Sequence, residues 1–502
     1  MKKVIPFTVI LIIGIISLSG CQGFLNQTPK SSLSKSNFYQ DSTQFVEAIN
    51  GVYGVLQNTY NATSHTWGEE RSDNTTFQYN AADRGRYFWE QFDYFELTTS
   101  NQEVEYMWSN MYRGIAQCNE ILNQASNAKK LSSTFKNHIQ GQAEFIRAFY
   151  YFNLVRLFGG VPLVTKPVNS PNEAYAKNGR ATVKAVYKQI IKDATDAASK
   201  LPDSWPSDQA GRITKGAANT LLGDVYLTQK NYSSADKYFK KVIQSGTYSL
   251  LPDYAALYNP SNKNNSESIF EIQFSTSVTG EYSNYIYQFA PYNSGSAITG
   301  FNGVQTYLAG RNIPTHNMVN TYEKGDKRKA ASIGWYVNPK NTQFGVAIGD
   351  SIPYVNKFAA KPKEPGKQDV DFYVYRYAQV LLWDAEALNE MGKQGQALPL
   401  INKVRERAGL SDLSGMSQSQ FRTAVYHEER VENAFEYHRW FQLLRTGRAK
   451  QVMTQHGKEV KTYEPWLKTK GNGGYDIKSY KLLYPIPQRD VRLNHLKQNP
   501  GW

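Results

Sequence analysis

The chain has 502 residues, 40% hydrophobic and 20% charged, with 57 Lys and Arg against 43 Asp and Glu and a formal net charge of +14. That composition is that of a folded chain, and the basic residues are scattered rather than massed, which excludes a basic nucleic-acid-binding tail. Two cysteines, Cys21 and Cys118, are too few for a disulfide framework.

The first element in chain order is an apolar run. Lys2 and Lys3 precede Val4–Leu18, about 15 residues against the ~20 that a helix needs to cross a hydrocarbon core. A basic start, a short apolar middle and small residues before a break are the layout of a removable secretory signal, here residues 1–20. Leu18-Ser19-Gly20-Cys21 resembles the bacterial lipobox, in which the cysteine thiol is acylated before the preceding peptide is cut away. Cys21 is therefore read as a lipidation site, anchoring the mature chain to a membrane without a spanning helix. Cys118 then remains as the single thiol, on the apolar side of a helical pattern, and the fold must rest on its core alone.

Beyond the signal, apolar residues recur at three- and four-residue steps over 43–58, 102–127, 134–158, 182–200, 215–229, 232–245, 374–391, 395–408 and 417–446, which predicts helices. Leu222-Gly223, Tyr226, Ala235 and Phe239 stand at the spacing of a tetratricopeptide unit, with Asn219 where that pattern has Trp. Gly223 and Ala235 let two antiparallel helices approach closely, and Tyr226 and Phe239 fill the space between them. Ala385, Leu388, Ala397 and Ile401 repeat the register. The expected fold is mainly α, a tetratricopeptide-like helical-repeat scaffold carrying a large irregular, aromatic-rich loop insertion. Its expected parts are an N-terminal helical region, 21–247, and a C-terminal region, 248–502, with the insertion at 248–370.

Within the insertion "SIFEIQF", 268–274, reads as a short strand. Residues 275–310 then set Tyr282, Tyr285, Tyr287, Tyr292, Phe301 and Tyr307 among Gly, Ser and Asn. Rigid amphipathic rings on small polar loops are the material of a recognition surface.

Catalytic signatures are missing. His427-Glu428-Glu429-Arg430-Val431 begins like H-E-x-x-H but has Val where the second zinc ligand belongs. His427 and His438 are ~16 Å apart along a helix, too far to share an ion. No G-x-S-x-G, phosphate-cradling loop or G-x-G-x-x-G occurs, so no enzyme, metal or cofactor is expected. Glu429, Glu432, Glu436 and Arg439 fall on one helical stripe, read as ion pairs to neighbouring helices rather than a ligand-binding carboxylate row.

Five ordered stretches resemble one family from end to end: the lipobox with "CQGFLNQTP", "NFYQDSTQFVEAINGVYGVLQ" (37–57), "QAEFIRAFYYFNLVRLFGGVPLVTKPV" (142–168), "ERVENAFEYHRWFQLLRTGRA" (429–449) and "LLYPIPQRDVRLNHLKQNPGW" (482–502). The chain is similar to SusD/RagB-type outer-membrane lipoproteins of the Bacteroidetes. That resemblance implies a glycan-binding lid over a SusC-like TonB-dependent barrel, taking up oligosaccharide or polysaccharide at the cell surface. Two alternatives share the build: a peptide-binding lid, and an assembly subunit with no ligand of its own. Gln22-Gly23-Phe24-Leu25 departs from the acidic run that often follows the cysteine in surface-exported members. The resemblance puts the ligand platforms in two loops. One is 62–100, with Trp67, Arg71, Asp73, Asn74, Tyr79 and Trp89; the other is 276–310, with Tyr282, Tyr285 and Tyr292 among its tyrosines. Trp89 and Tyr285 are the foremost candidates.

Overall fold

The computed structural model describes residues 38–79, 87–170, 173, 179–292, 294–301, 309–337, 350–464, 467 and 473–502. The signal segment, Cys21 and Tyr307 lie outside the described residues. Ten long helices are found among them: α1 Ser42–Ala62, α2 Gln102–Asn127, α3 Ser133–Phe158, α4 Val183–Lys200, α5 Lys215–Thr228, α6 Tyr232–Ile243, α7 Tyr377–Glu390, α8 Gln394–Arg407, α9 Gln418–Glu432 and α10 Ala449–Tyr463. No described helix is long and apolar enough to cross a membrane. The first six each open on a short polar side chain that accepts an otherwise orphaned backbone N–H: Asp41, Asn101, Ser132, Thr182, Thr214 and Asn231.

Packing follows chain order. α3, buried on nearly all sides from Gly141 onward, lies between α2 and α4; α4 packs on α5, and α5 on α6. α6 then packs directly on α7, although residues 244–376 intervene, and α7 meets α8 and α9. This is the expected mainly helical, tetratricopeptide-like stack, and it runs through both halves of the chain. The close approach at Gly223 is real: a Cβ there would stand 2.2 Å from Phe239 Cε1. Tyr226 of α5 lies flat on Tyr238 of α6, their centroids 5.6 Å apart. Ala385, Leu388, Ala397 and Ile401 are all buried, as is Cys118.

Six short strands are found among the described residues, in three antiparallel pairs: β1 Thr75–Thr76 with β3 Ile313–Pro314, β2 Ser268–Ile272 with β6 Phe372–Arg376, and β4 Ile333–Val337 with β5 Ser351–Val355; β2 to β5 come from the insertion. Residues 374–376, expected as the start of a helix, belong to β6 instead.

The expected helix 417–446 is broken. α9 ends at Glu432, and Phe435 and Tyr437 take positive φ, 68° and 63°, before a short helix Arg439–Arg445. The Glu69 carboxylate causes the turn, accepting the backbone N–H of Phe435 at 2.9 Å and of Tyr437 at 3.2 Å. Two non-glycine residues hold a strained conformation because a side chain from a distant loop bonds the turn's amides.

Candidate functional site

The two loop regions singled out in the sequence do meet. Thr76 pairs with Ile313 across β1 and β3, Gln78 donates its N–H to the Gly310 carbonyl at 2.7 Å, and the Gln78 side chain accepts from Tyr292 N–H at 2.9 Å. This lacing gathers Phe77, Ala290, Tyr292 and Ala309 into a small apolar cluster, with Trp89 and Ile298 half-buried against it. Ile298 also packs against the cluster of Ile313, Tyr336 and Ile352 from the strand pairs, as does Tyr354. Phe77, Trp89, residues 288–292 and 294–301, and the β4–β5 strand pair therefore share one continuous foundation.

Trp89 is the sequence-chosen ring best placed at this surface. It stays half-buried while the Arg311 guanidinium lies 3.2 Å from its ring centre, covering one face. Arg311 is itself buried and donates to the Gln288 side chain at 3.1 Å. Tyr79 and Phe301 are half-buried on the same two segments. On β4, Tyr336 points inward while Trp335 and Val337 point out, 50% and 56% exposed. Sequence reasoning passed over Trp335, although Ile333-Gly334-Trp335-Tyr336-Val337 alternates as a half-buried strand does. Tyr282 also remains half-buried, its ring 5.6 Å from Lys367 Nζ.

The other chosen residues sit inside the protein. Tyr285 is enclosed by the rings of Phe274, Phe289, Phe358 and Phe372. Trp67 packs edge-on to Tyr60 and Phe441. Arg71 donates to the Phe92 and Lys481 carbonyls and lies over the Phe95 ring at 4.1 Å. Tyr292 is buried on Phe77, and Tyr287 is buried close by in sequence. None of these offers an open ring face to a ligand: Tyr292 lies in the small cluster beneath the surface, and Trp67 and Tyr285 belong to the main core.

Asp73 and Asn74 have a structural task that explains their place. Arg439 grips both Asp73 oxygens, at 2.8 and 2.9 Å, and Arg430 adds a third contact at 3.0 Å. Burial pushes this carboxyl up, yet the two guanidiniums outweigh it and hold it well below the usual carboxylate range. Asn74 donates to Glu69 at 2.7 Å and accepts from Arg430 Nε at 2.8 Å. Burial lifts the Glu69 carboxyl to about 7 against those bonds. The loop that leads to Trp89 is thus clamped to the turn after α9.

The charged stripe resolves into buried ion pairs. Glu432 receives Arg376 at 2.9 Å and Arg407 at 2.5 Å, and Glu436 receives Arg376 at 2.8 Å and Lys357 at 2.6 Å. Glu323, His427 and Glu428 form the one three-residue group among the described residues with metal-ligand atoms close together. Arg328 and Arg405 already bind the Glu428 oxygens, and Arg405 also binds Glu323, so guanidiniums occupy the positions a cation would need.

Comparison with known proteins agrees with this fold. A family profile described as "SusD family" matches residues 266–502, and one described as "Starch-binding associating with outer membrane" matches 23–227. SusD-like protein P25 of Formosa agariphila is 25% identical, the match covering 96% of this chain and 95% of that one. A solved structure titled "Laminarin binding SusD-like protein" superposes with a TM-score of 0.76 at 27% identity, covering 92% of this chain and 99% of that one. A SusD superfamily protein from Parabacteroides distasonis superposes with a TM-score of 0.75 at 28% identity, covering 94% and 100%.

Proposed function

Because the chain belongs to the SusD/RagB family, we propose that it captures an oligosaccharide on the face that carries Trp89, Tyr79, Phe301 and Trp335. In this reading it is lipid-anchored through Cys21 at the outer membrane, exposed at the cell surface, and delivers its ligand to a SusC-like TonB-dependent barrel as the barrel's lid. It performs no chemistry on the glycan. The observation that carries the reading is the pair of partly open tryptophans, Trp89 and Trp335, on segments joined through Ile298.

A sugar ring has an apolar C–H face and a rim of hydroxyls. An indole covers the first, and amide, carboxylate or guanidinium groups bond the second. Preorganisation matters because a shallow, wet surface yields little net energy per contact. Arg311 behind Trp89 and the paired strands beneath Trp335 hold both rings before any ligand arrives.

The laminarin-binding relative makes a neutral β-glucan the first probe to try. Titration of the full chain with laminarin oligosaccharides should give saturable binding that changes little between 50 and 500 mM salt, since a neutral ligand has no charge to screen. A glycan array without any hit, beside a clear peptide ligand, would overturn it.

A further inference from the structure

A cavity of about 450 Å³ lies among α4, α5 and α6, in the helical scaffold rather than the aromatic insertion. It sits at Asn219, the position where the tetratricopeptide spacing has Trp, so an amide borders space that an indole would fill. Asn219 is only 7% exposed, and its side chain makes no hydrogen bond to any described residue. Asn219 lines the cavity, so its amide is available there as a donor and acceptor for a bound partner.

The surroundings specify that partner's chemistry. Lys241 and Lys215 both line the space. Lys215 Nζ is 3.0 Å from the well-exposed carboxylate of Asp203, whereas Lys241 has only the Tyr238 ring, 4.9 Å away. Gly216, in the first turn of α5, also lines the cavity and brings the positive end of that helix to it. Two ammonium groups, a helix N-terminus and one exposed carboxylate leave room for one negative charge. The walls are rigid and amphipathic. Tyr238 is stacked on Tyr226, and Tyr248 lies over Gly216 with its hydroxyl 3.1 Å from Thr214 Oγ1. Ser199, Ser245 and Thr247 add a hydroxyl rim.

We propose that this cavity binds a hexuronate, a sugar ring bearing one carboxylate, at a site separate from the aromatic face. The carboxylate meets Lys241 and the start of α5, the ring lies along the tyrosine walls, and its hydroxyls engage Asn219 and the Ser and Thr rim. A peptide C-terminus offers the same charge but would leave that rim unused.

Calorimetry of the full chain in detergent tests this with glucuronate, galacturonate, glucose and a short peptide with a free C-terminus. A hexuronate should bind at least about tenfold more tightly than glucose or the peptide, a difference of ~1.4 kcal/mol. Asn219→Trp, which refills the cavity, should abolish uronate binding, and Lys241→Gln should weaken it about fivefold with folding intact. Neither change should alter titration with laminarin oligosaccharides, so failure here is distinguishable from failure of the aromatic-face reading. Equal binding of glucose and uronate, preference for the peptide, no uronate binding at all, or wild-type uronate affinity in both variants would each overturn the proposal.

Discussion

The Arg311 guanidinium lies 3.2 Å from the centre of the Trp89 ring, so the indole is held between a buried cation and the surface. A cation over an aromatic face contributes ~0.5–2 kcal/mol and fixes the ring's orientation. If a sugar stacks on the uncovered side, Trp89→Ala should weaken glycan binding roughly tenfold, the ~1–2 kcal/mol scale of an aromatic contact. Arg311→Met should weaken it less, by loosening the ring. Calorimetry with a matched oligosaccharide decides; unchanged affinity in a folded Trp89→Ala protein would remove this residue from the site.

Trp335 and Tyr285 should behave oppositely. Trp335 is half-exposed, so Trp335→Ala should lower glycan affinity and leave the melting temperature nearly unchanged. Tyr285 is fully buried among phenylalanines, so Tyr285→Ala should cost about 3–5 kcal/mol of stability, with affinity retained in whatever fraction stays folded. Thermal unfolding beside calorimetry separates the two, and a stable Tyr285→Ala variant that has lost binding would contradict the assignment.

Acid should weaken the ion-pair cluster around α9. Burial pushes the Glu436 carboxyl up, but Arg376 and Lys357 overcome this and hold it at about 2. Glu432 is lowered in the same way, chiefly by Arg407 and Arg376 against its own burial. A depressed folded-state pKa adds stability that is present above the unfolded value, ~4.3, and is lost as pH falls toward the folded one. Denaturant midpoints should therefore drop steeply from about pH 4.5 toward pH 2. Glu436→Gln strands Lys357 and part of Arg376, so it should lose ~3–5 kcal/mol at pH 7 and show a flatter acid limb. An acid limb as steep as that of wild type would show that other carboxyls set it.

Cys21→Ala should abolish incorporation of labelled fatty acid and leave an unprocessed precursor. Gentle detergent extraction of the wild type should co-purify a TonB-dependent barrel, since a stable lid needs an interface of about 2,000 Å² or more. Fatty-acid labelling of the mutant, or recovery of the wild type alone at low salt, would count against anchor and partnership respectively.

Local regularity made the scaffold legible in the sequence. Helical periodicity and small residues such as Gly223 report contacts between elements close in the chain, and α1 to α8 fall within a few residues of their expected ranges. The same local reading joined α9 to the short helix Arg439–Arg445, because the carboxylate that bends the chain belongs to Glu69. Composition marked one loop of the aromatic face, 275–310, where rings stand among Gly, Ser and Asn, and the family resemblance pointed to the other, 62–100. It could not sort their residues. Tyr285 and Tyr282 stand three apart in similar company, yet one is walled in by Phe274, Phe289, Phe358 and Phe372 and the other borders solvent. Arg71, Asp73 and Asn74 look like ligand-binding groups by type, but partners as distant in sequence as Lys481, Arg439 and Arg430 consume them. Which side chains face outward is settled by contacts between residues hundreds of positions apart, and local composition carries no record of those pairings. Only the tertiary structure decided them, placing Trp89 over Arg311, turning Trp335 outward on its hairpin, and opening a cavity at Asn219.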